Sequence, residues 1–503
     1  MGKKSQNEVK SKQNNVYKSG VQTTGCVKLP PNRRNDLNQL LDKILKVSSS
    51  VPESSNVAKE LEAYQEIQKI TSKIKVLEEE LLQPMPDRKS SKEDFLLWLK
   101  NNNVEFDGLR IAEYPGMEFG IEAEKDFKEG DMMIAVPRRV MLTVENIHQS
   151  PLKELAKKDP LIVHMPNVAL ALLLLLHRRD LQSFWKPYIN MLPSKYTTVL
   201  YFNPEELMHL KGSPAFEMAL RQCRSITRQY AYFNKLFQRS NDEASNMLRE
   251  IFTLEEYCWA VSTVMTRQNA VVSADGGDLT QALIPLWDMC NHADGKLSTD
   301  FNVALDRSEC VAWRAVPAGE QVFIFYGERP NCDRLIHNGF VQPRSACDAV
   351  RVRLGVARAD PLHAEKAALL PRLGLAPSGD WEVRAGPRPV SDKLAAFVRV
   401  LCMDKDQLER WTASPDVESL LLEDCPQLDA ELNAKAWAFL QVRVKLLLAA
   451  YPTKLEDDEA LLVDPKDARL SHCARLAVQL RCEEKRLLRD ALAYVEQRAA
   501  RTV

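Results

Sequence analysis

The sequence lacks the features that mark several large classes of protein. Its most apolar run, Val168–Leu176, is nine residues long and is followed by His177, Arg178 and Arg179, so it is too short to cross a bilayer and predicts a buried helix. The eleven cysteines form no CxxC pair, and no hydrophobic signal peptide precedes them. This pattern predicts free thiols, no structural zinc, and a cytoplasmic location with the nucleus left open.

The chain also lacks an excess of either charge. Its 68 basic residues are matched by 69 acidic ones, which argues against nucleic acid or an anionic membrane as the general partner. Residues 1–34 are an exception, because they hold eight basic residues and one acid, Glu8. We predict a disordered, solvated tail there, and a nuclear-import or nucleic-acid patch is the alternative.

A chain of 503 residues is too long for a single core, so we expect two or three domains. After the tail, residues 35–93 carry apolar side chains at helical spacing and predict helices that pack on a larger body. Residues 94–345 predict a β-rich domain with a helical insert at about 144–262. Residues 346–503 are rich in Ala, Leu, Arg and Glu and predict an all-helical domain. The fold class is therefore α+β.

Period-two patterns predict the strands of the β-rich domain. The clearest are residues 110–114, 120–123, 132–136 and 321–326. Residues 302–305 and 310–315 flank a polar stretch, Asp306 to Glu309, which predicts a hairpin turn. The domain is therefore expected to hold a small β core interrupted by the insert.

Three polar groups in residues 267–329 are candidates for chemistry. They are Arg267-Gln268-Asn269, Trp287-Asp288-Met289-Cys290-Asn291-His292, and Phe325-Tyr326-Gly327 with Arg329. Each group alone is weak evidence, since Arg267 could be a surface charge and Tyr326 a strand-end aromatic. Their order and spacing are more informative than any one of them.

This arrangement resembles the SET methyltransferases, in which an Asn-His segment and a Tyr-bearing strand form a pseudoknot around the cofactor. The resemblance spans residues 88–340 and reaches the N-terminal helices and the helical C-terminal region of the Rubisco-methyltransferase-like branch. No zinc-binding cysteine cluster follows Tyr326, as is usual in that branch. Four motifs are similar to those of members that methylate a histidine of actin, namely Met265–Asn269, Leu283–His292, Arg228–Phe233 and Ile324–Gly327.

The resemblance implies S-adenosylmethionine as the methyl donor, with no metal, and actin as the protein partner. Its second domain is expected to bind the substrate, and the enzyme is expected to act as a monomer. Two features depart from the family pattern, because Glu118 stands where a small residue is usual and, as a milder change, Asn338 stands where a small hydroxyl residue is common. The implied cofactor-binding residues are Arg88, Met117, Glu118, Phe119, Arg267, Asp288, Met289, Cys290, Asn291, His292, Asn338, Gly339 and Phe340.

The resemblance also implies a role for four residues at the substrate. Asn269 and Tyr326 are expected to be catalytic and to contact the substrate, together with Trp287 and Arg329. A lysine nucleophile must lose a proton at a cost of about 4.6 kcal/mol at pH 7, whereas histidine is mostly neutral there. For histidine the requirement is ring orientation, which an Asn269 amide that accepts from one ring N–H can supply.

Two other functions remain open at this stage. A protein of the same branch could methylate lysine, although Asn269 and Trp287 argue for a flatter substrate. A catalytically silent adaptor that grips a partner is the second alternative, which Glu118 favours and Tyr326, Asn291 and Asp288 oppose. Trp287 could also be simple core, and His292 and His337 are expected to have packing roles.

Overall fold

The computed structural model describes residues 28–51, 56–422, 425, 427–463 and 470–500. The predicted tail therefore lies mostly outside the described residues. Its last part was predicted wrongly, because a helix begins at Pro31. Proline is favoured at the first position of a helix, where its missing N–H has no partner to lose, and Leu37, Leu41 and Ile44 follow on one buried face.

The strands of the structure, in chain order, are β1 Leu109–Tyr114, β2 Glu118–Ala123, β3 Met132–Pro137, β4 Leu142–Thr143, β5 Gln268–Val272, β6 Leu279–Leu283, β7 Asn291–His292, β8 Thr299–Asn302, β9 Arg307–Val311, β10 Gln321–Ile324, β11 Ala349–Gly355 and β12 Ser378–Arg384. The α-helices are α1 Pro31–Ser50, α2 Val57–Glu78, α3 Arg88–Asn101, α4 Lys153–Ala156, α5 Pro160–His164, α6 Pro166–Arg179, α7 Lys186–Ile189, α8 Pro204–Met208, α9 Pro214–Arg239, α10 Glu243–Leu248, α11 Leu254–Arg267, α12 Asn331–Asn338, α13 His363–Leu369, α14 Asp392–Cys402, α15 Lys405–Ala413, α16 Ala430–Ala449, α17 Leu455–Leu462 and α18 His472–Ala500.

The chain divides into two compact units. The first contains residues 1–201, 220–327 and 337–339, and the second contains residues 202–219, 328–336 and 340–503. Two short pieces that precede residue 346 thus cluster with the C-terminal region.

The first unit is built on three small sheets, which have the strand orders β1-β2-β10-β7, β3-β9-β8 and β4-β6-β5. Its core combines these sheets with α1 and α2, as predicted for the N-terminal helices, and with α6. Every residue of Val168–Leu176 is buried in α6, so the predicted buried helix is confirmed. Among the described residues, none of the helices is both long and apolar enough to span a membrane.

Two details of the first unit differ from the predictions. The predicted hairpin turn at 306–309 lies earlier, between Asn302 and Arg307, because the Asn302 side chain accepts from the Leu305 N–H and Asp306 adopts a left-handed φ of 50°. The helical insert is followed by a hairpin, β5–β6, that the sequence did not predict. This hairpin carries Asn269.

The second unit holds most of the remaining helices, with α14, α16 and α18 contributing to one core. It is not wholly helical, because β11 and β12 form an antiparallel pair that places Val352 opposite Trp381. The predicted α+β class is confirmed, with this hairpin as an addition to the helical C-terminal region.

Glu78, at the end of α2, is a buried carboxyl group in the first unit. It accepts hydrogen bonds from the Tyr230 hydroxyl and from the Leu254 N–H at 2.8 Å. Burial raises its pKa to about 8, against the opposing effect of these bonds. Because the folded pKa lies above the unfolded one, the unfolded state is favoured increasingly as pH rises from about 4.5 towards 8.

We therefore expect Glu78→Gln to flatten the pH dependence of stability. Between pH 6 and pH 8 the wild-type protein should lose about 2 kcal/mol more of its free energy of unfolding than the variant does. Urea unfolding of the first unit's tryptophan signal at both pH values measures the difference. Equal losses in the two proteins would show that Glu78 does not keep its proton in the folded state.

Candidate active site

The Asn-His segment and the tyrosine strand meet in a parallel pairing, although His292 and Tyr326 are 34 residues apart in the sequence. Strand β10 pairs with β7, so that Phe323 lies opposite Asn291 and Ile324 opposite His292. Beyond the pair, the Tyr326 N–H donates to His292 Nδ1 at 3.2 Å. The predicted meeting of these two segments is confirmed. His292 stabilises it by packing against Tyr326 and by accepting a hydrogen bond from the Tyr326 backbone.

Tyr326 is oriented by its hydroxyl group as well as by its backbone. The hydroxyl donates to the Cys290 carbonyl at 2.7 Å, and the ring lies 5.0 Å from that of His292. Burial raises the pKa of Tyr326, with Arg267 opposing the shift. The phenol therefore stays protonated near neutral pH and acts as a hydrogen-bond donor.

A buried ion pair lies beside this crossing. The Thr253 hydroxyl caps α11 by accepting from the Glu256 N–H, and α11 ends at Arg267 where Gln268 becomes extended. Arg267 Nη1 donates to the Asp288 carbonyl and lies 3.5 Å from Asp288 Oδ2. Arg267 is therefore a buried cation, and its interpretation as a surface charge was wrong.

Asp288 has a second partner, because the Tyr188 hydroxyl donates to its Oδ2 at 2.5 Å. Burial raises the pKa of Asp288, and Arg267 and Tyr188 oppose that shift. Burial also acts to lower the pKa of Arg267, but Asp288 and the nearby phenols of Tyr196 and Tyr188 outweigh it. The site thus keeps a charged guanidinium group in a dry environment.

Arg88 faces the same cluster from the start of α3. Its Nε donates to the Met191 carbonyl at 2.8 Å, and its guanidinium lies over the Phe119 ring at 4.7 Å. Its Nη1 pairs with the Glu118 carboxylate. Burial lowers the pKa of Arg88, and repulsion by Arg267 lowers it further. The two arginines predicted to share a ligand are therefore close enough to repel each other.

Gly120 forms the floor of an open cradle next to these groups. A Cβ atom at this position would come within 2.4 Å of Gln321 Nε2 and 2.8 Å of Asn291 Nδ2. Only a residue without a side chain lets both amide groups approach β2 this closely. Gly120 directly follows Phe119, the last residue of the predicted loop Met117–Phe119.

Among the described residues of this region, several buried polar atoms lack a hydrogen-bond partner. In the part of the chain that the structure describes, the following buried atoms near the crossing make no hydrogen bond: Arg267 Nε, Gln268 Oε1, Trp287 Nε1, Asp288 Oδ1, Asn291 Nδ2 and Gln321 Nε2. An unpaired buried polar group costs about 1–3 kcal/mol, so such a cluster indicates a bound polar molecule. Because the set contains both donors and acceptors, it fits the zwitterionic amino-acid end of S-adenosylmethionine.

Asn269 lies on β5, two residues after Arg267. Its Nδ2 donates to the Arg267 carbonyl at 3.0 Å, which leaves Oδ1 as the end of the amide that can accept a hydrogen bond. A cavity of about 140 Å³ is lined by Asn269, Trp287, Ile284 and the β8–β9 hairpin. Trp287 is thus both core and cavity wall, since only 4% of its surface is exposed.

The other predicted residues lie in three places. Asn338 and Gly339 belong to the first unit, where the Thr197 hydroxyl donates to the Gly339 carbonyl at 2.6 Å. Met117 is exposed in the β1–β2 turn. Arg329 and Phe340 belong to the second unit, so the contacts described for the first unit do not include them.

Sequence reasoning missed two members of the cluster. Tyr188 lies one hundred residues from its partner Asp288, and its local sequence carries no signal beyond an aromatic residue in a short helix. Gln321 was predicted only as a strand residue. A buried glutamine at the start of an apolar strand is unusual, and that signal could have identified it.

Comparisons with known proteins agree with this geometry. Residues 118–327 match the model of the SET domain family, and residues 357–488 match that of the Rubisco LSMT substrate-binding family. The actin-histidine N-methyltransferase of Danio rerio is 38% identical to this chain over 98% of the chain and 80% of the relative. The human actin-histidine N-methyltransferase is 37% identical over 98% of the chain and 81% of the relative.

The chain belongs to the actin-histidine N-methyltransferase family. It is therefore a SET-domain methyltransferase, as predicted. A crystal structure of the LSMT SET domain bound to lysine and AdoHcy has a TM-score of 0.65 and 21% identity, covering 83% of this chain and 93% of that one. At this identity the similarity to the LSMT structure shows the fold alone.

Proposed function

We propose that the chain transfers a methyl group from S-adenosylmethionine to a ring nitrogen of a histidine in actin. The observation that carries the proposal is the orientation of Asn269 at the wall of a small cavity. One N–H of its side-chain amide donates to the Arg267 carbonyl, which fixes the orientation of the amide and leaves its carbonyl oxygen to receive a ring N–H. This arrangement holds one nitrogen of a neutral imidazole and leaves the other nitrogen's lone pair free.

The buried cluster beside the cavity is the proposed cofactor site. Arg88 and Arg267 would hold the carboxylate, because a guanidinium fork matches that group and both side chains are buried near one another. Asp288 Oδ1 is an acceptor without a partner among the described residues, and it would receive the ammonium group. The Met117–Phe119 loop, the stretch from Asp288 to His292, and Asn338 with Gly339 would complete the site within the first unit.

The cofactor supplies a methyl group on a positively charged sulfur. Asn269 would hold the ring N–H so that the other ring nitrogen faces the methyl carbon, and the proton of this N–H would leave to solvent once the ring carries the methyl group. The protein's part is alignment and exclusion of water. Tyr326 would contact the histidine ring from the β10 end, Trp287 would restrict the cavity to a flat side chain, and Arg329 would bind the substrate backbone.

The two alternatives make different demands on the same residues. A lysine substrate needs a group that removes its proton. The carboxylate in the described cavity lining is that of Asp300, which is exposed and accepts from the Phe301 N–H, whereas the amide of Asn269 suits a ring N–H. A silent adaptor is favoured by one contact only, the pairing of Glu118 with Arg88. The many unpaired buried polar atoms favour a protein that binds a small polar ligand.

A labelled-methyl assay tests the proposal directly. Purified actin, with single histidine or lysine substitutions, is incubated with the protein and labelled S-adenosylmethionine, and the product is mapped by peptide mass spectrometry. We expect label on one histidine and its loss only in the corresponding histidine variant. Label lost only in a lysine variant would support the lysine alternative, and binding of the cofactor without any label would support the adaptor.

Gly120→Ala should weaken cofactor binding about tenfold, because the added methyl group would displace the Gln321 and Asn291 amides, and a buried polar ligand group that loses its partner costs about 1–3 kcal/mol. The added methyl group would occupy the space between Gln321 and Asn291. Calorimetric titration with AdoHcy measures the effect, and thermal unfolding checks that the fold is kept.

Gly277→Ala is the matched control, since an added Cβ there meets no heavy atom closer than 3.7 Å. It should leave the dissociation constant within about twofold. Equal affinities for the two glycine variants would show that the cradle at Gly120 does not hold the cofactor.

The cysteines bear on location. The ten described cysteines are free thiols, which supports a reducing compartment such as the cytoplasm. We retain a cytoplasmic location and a monomeric enzyme as part of the proposal.

A further inference from the structure

Glu118 is the larger of the chain's two departures from the family pattern, and it contacts Arg88 of the proposed cofactor site. Its carboxylate pairs with Arg88 Nη1. Arg88 is one of the two arginines proposed to bind the carboxylate of S-adenosylmethionine. A side-chain carboxylate of the protein therefore pairs with the guanidinium group that the ligand's carboxylate would bind.

The backbone holds Glu118 in this position. It follows the β1–β2 turn, where Gly116 has a φ of 77°, and it adopts a left-handed φ of 57° itself. Residues other than glycine are uncommon in this region of backbone conformation, so the position carries strain. Tyr114 lies opposite Glu118 in the β1–β2 register, so the antiparallel pairing fixes the backbone of Glu118.

The two sides of the pair differ in exposure. The Arg88 side chain is 12% exposed, whereas the Glu118 side chain is 67% exposed. A buried guanidinium that also faces Arg267 needs a compensating anion, but an exposed carboxylate can leave for water at little cost. Asp288, the other nearby anion, is buried against Arg267 and Tyr188 and is not replaceable in this way.

We propose that Glu118 is a displaceable internal anion, which neutralises Arg88 in the empty site and is replaced there by the carboxylate of S-adenosylmethionine. This inference rests on the proposed cofactor site. It makes Glu118 a determinant of cofactor affinity that acts by competition. It also predicts that Glu118 lowers the binding affinity only of ligands that carry a carboxylate.

The test is calorimetric titration of the full chain with two ligands. AdoHcy has the amino-acid carboxylate, and 5′-methylthioadenosine has the same adenosine and sulfur without it. Glu118→Gln keeps the side-chain size and the backbone position but removes the charge. We expect it to bind AdoHcy about two- to fivefold more tightly than the wild type, as the strength of an exposed ion pair implies, and 5′-methylthioadenosine equally.

Glu113→Gln is the matched control. Glu113 is an exposed acid on the same hairpin, and it pairs with Lys89 at 2.9 Å. This variant removes the same charge from the same region without freeing Arg88, so its affinity for both ligands should equal that of the wild type. An equal gain in both variants would show a general effect of charge and would contradict the competition.

Two other results would overturn the inference. Weaker AdoHcy binding by Glu118→Gln would mean that Glu118 contacts the ligand's ammonium group, and unchanged binding of AdoHcy would mean that the pair does not compete. Failure of the proposed function is separate, because it would show as no AdoHcy binding by the wild type or as no label on actin histidine.

Discussion

Tyr326→Phe should lower the turnover of histidine methylation about a hundredfold, as expected when a reacting group is misplaced by about 1 Å. The variant loses the hydrogen bond to the Cys290 carbonyl. Both residues lie at the parallel crossing, so the loss frees the tyrosine ring, while the β7–β10 pairing still holds the backbone of Asn291 and His292. The ring that we place beside the substrate would no longer have a defined position.

Cofactor affinity should change much less, because the phenol makes its contact with the backbone and not with Arg88 or Arg267. Single-turnover methylation of actin gives the chemical step, and titration with AdoHcy gives the affinity of each protein. Tyr232→Phe is a matched control, since it removes the half-buried hydroxyl that pairs with Asp159 in the same unit. A hundredfold loss in affinity with normal turnover at saturation would place Tyr326 in the cofactor site instead.

The sequence predicted the parts of the site that are carried by contiguous motifs. Asn291-His292 and Tyr326 were expected to meet, and the β7–β10 pairing shows that they do. Arg267 and Asp288 were expected in one site, and they form a buried ion pair. The crossing could be predicted because the family pattern encodes a meeting of distant segments that no local propensity reveals, and the cofactor roles of these residues stay predictions.

Other parts could not be predicted because they depend on distant partners or on context. Tyr188 becomes a site residue only through the fold that brings it to Asp288. Pairing of Glu118 with Arg88 likewise depends on the placement of α3 beside the β1–β2 turn. The sequence shows that Glu118 stands where a small residue is usual, but it does not show that Arg88 is its partner.

One missed element did carry a local signal. In β11, Val350, Val352 and Leu354 are buried and alternate with Arg351 and Arg353, which is the period-two pattern of a strand. The surrounding Ala, Leu, Arg and Glu composition favours helix, and this preference was given too much weight. Val352 and Trp381 lie opposite each other in the strand pair and share one core. Such cross-strand contacts stabilise a strand and explain why this one forms.

Asn269→Ala should reduce methylation of actin histidine by about two orders of magnitude, while cofactor affinity stays within about twofold. The truncation removes the only amide that the cavity lining presents among the described residues, so a bound imidazole could rotate and present either nitrogen. Asn102→Ala is the matched control, since its Nδ2 also donates to a backbone carbonyl, that of Trp98, at 2.8 Å. Equal rates for wild type and Asn269→Ala would show that Asn269 does not orient the bound imidazole.

Asn269→Asp separates orientation from charge. A carboxylate can still accept the ring N–H, but it also stabilises the imidazolium form and so raises the pKa of the bound histidine. The wild-type rate should rise with pH through about 6.5, where a free histidine becomes neutral, and in Asn269→Asp this rise should occur at higher pH. At a pH well above the shifted pKa, the Asp variant should recover much of the activity that the Ala variant lacks. A residue that only supported the fold would lower the rate without moving the pH profile, so the displacement of the profile identifies Asn269 as the group that holds the reacting ring.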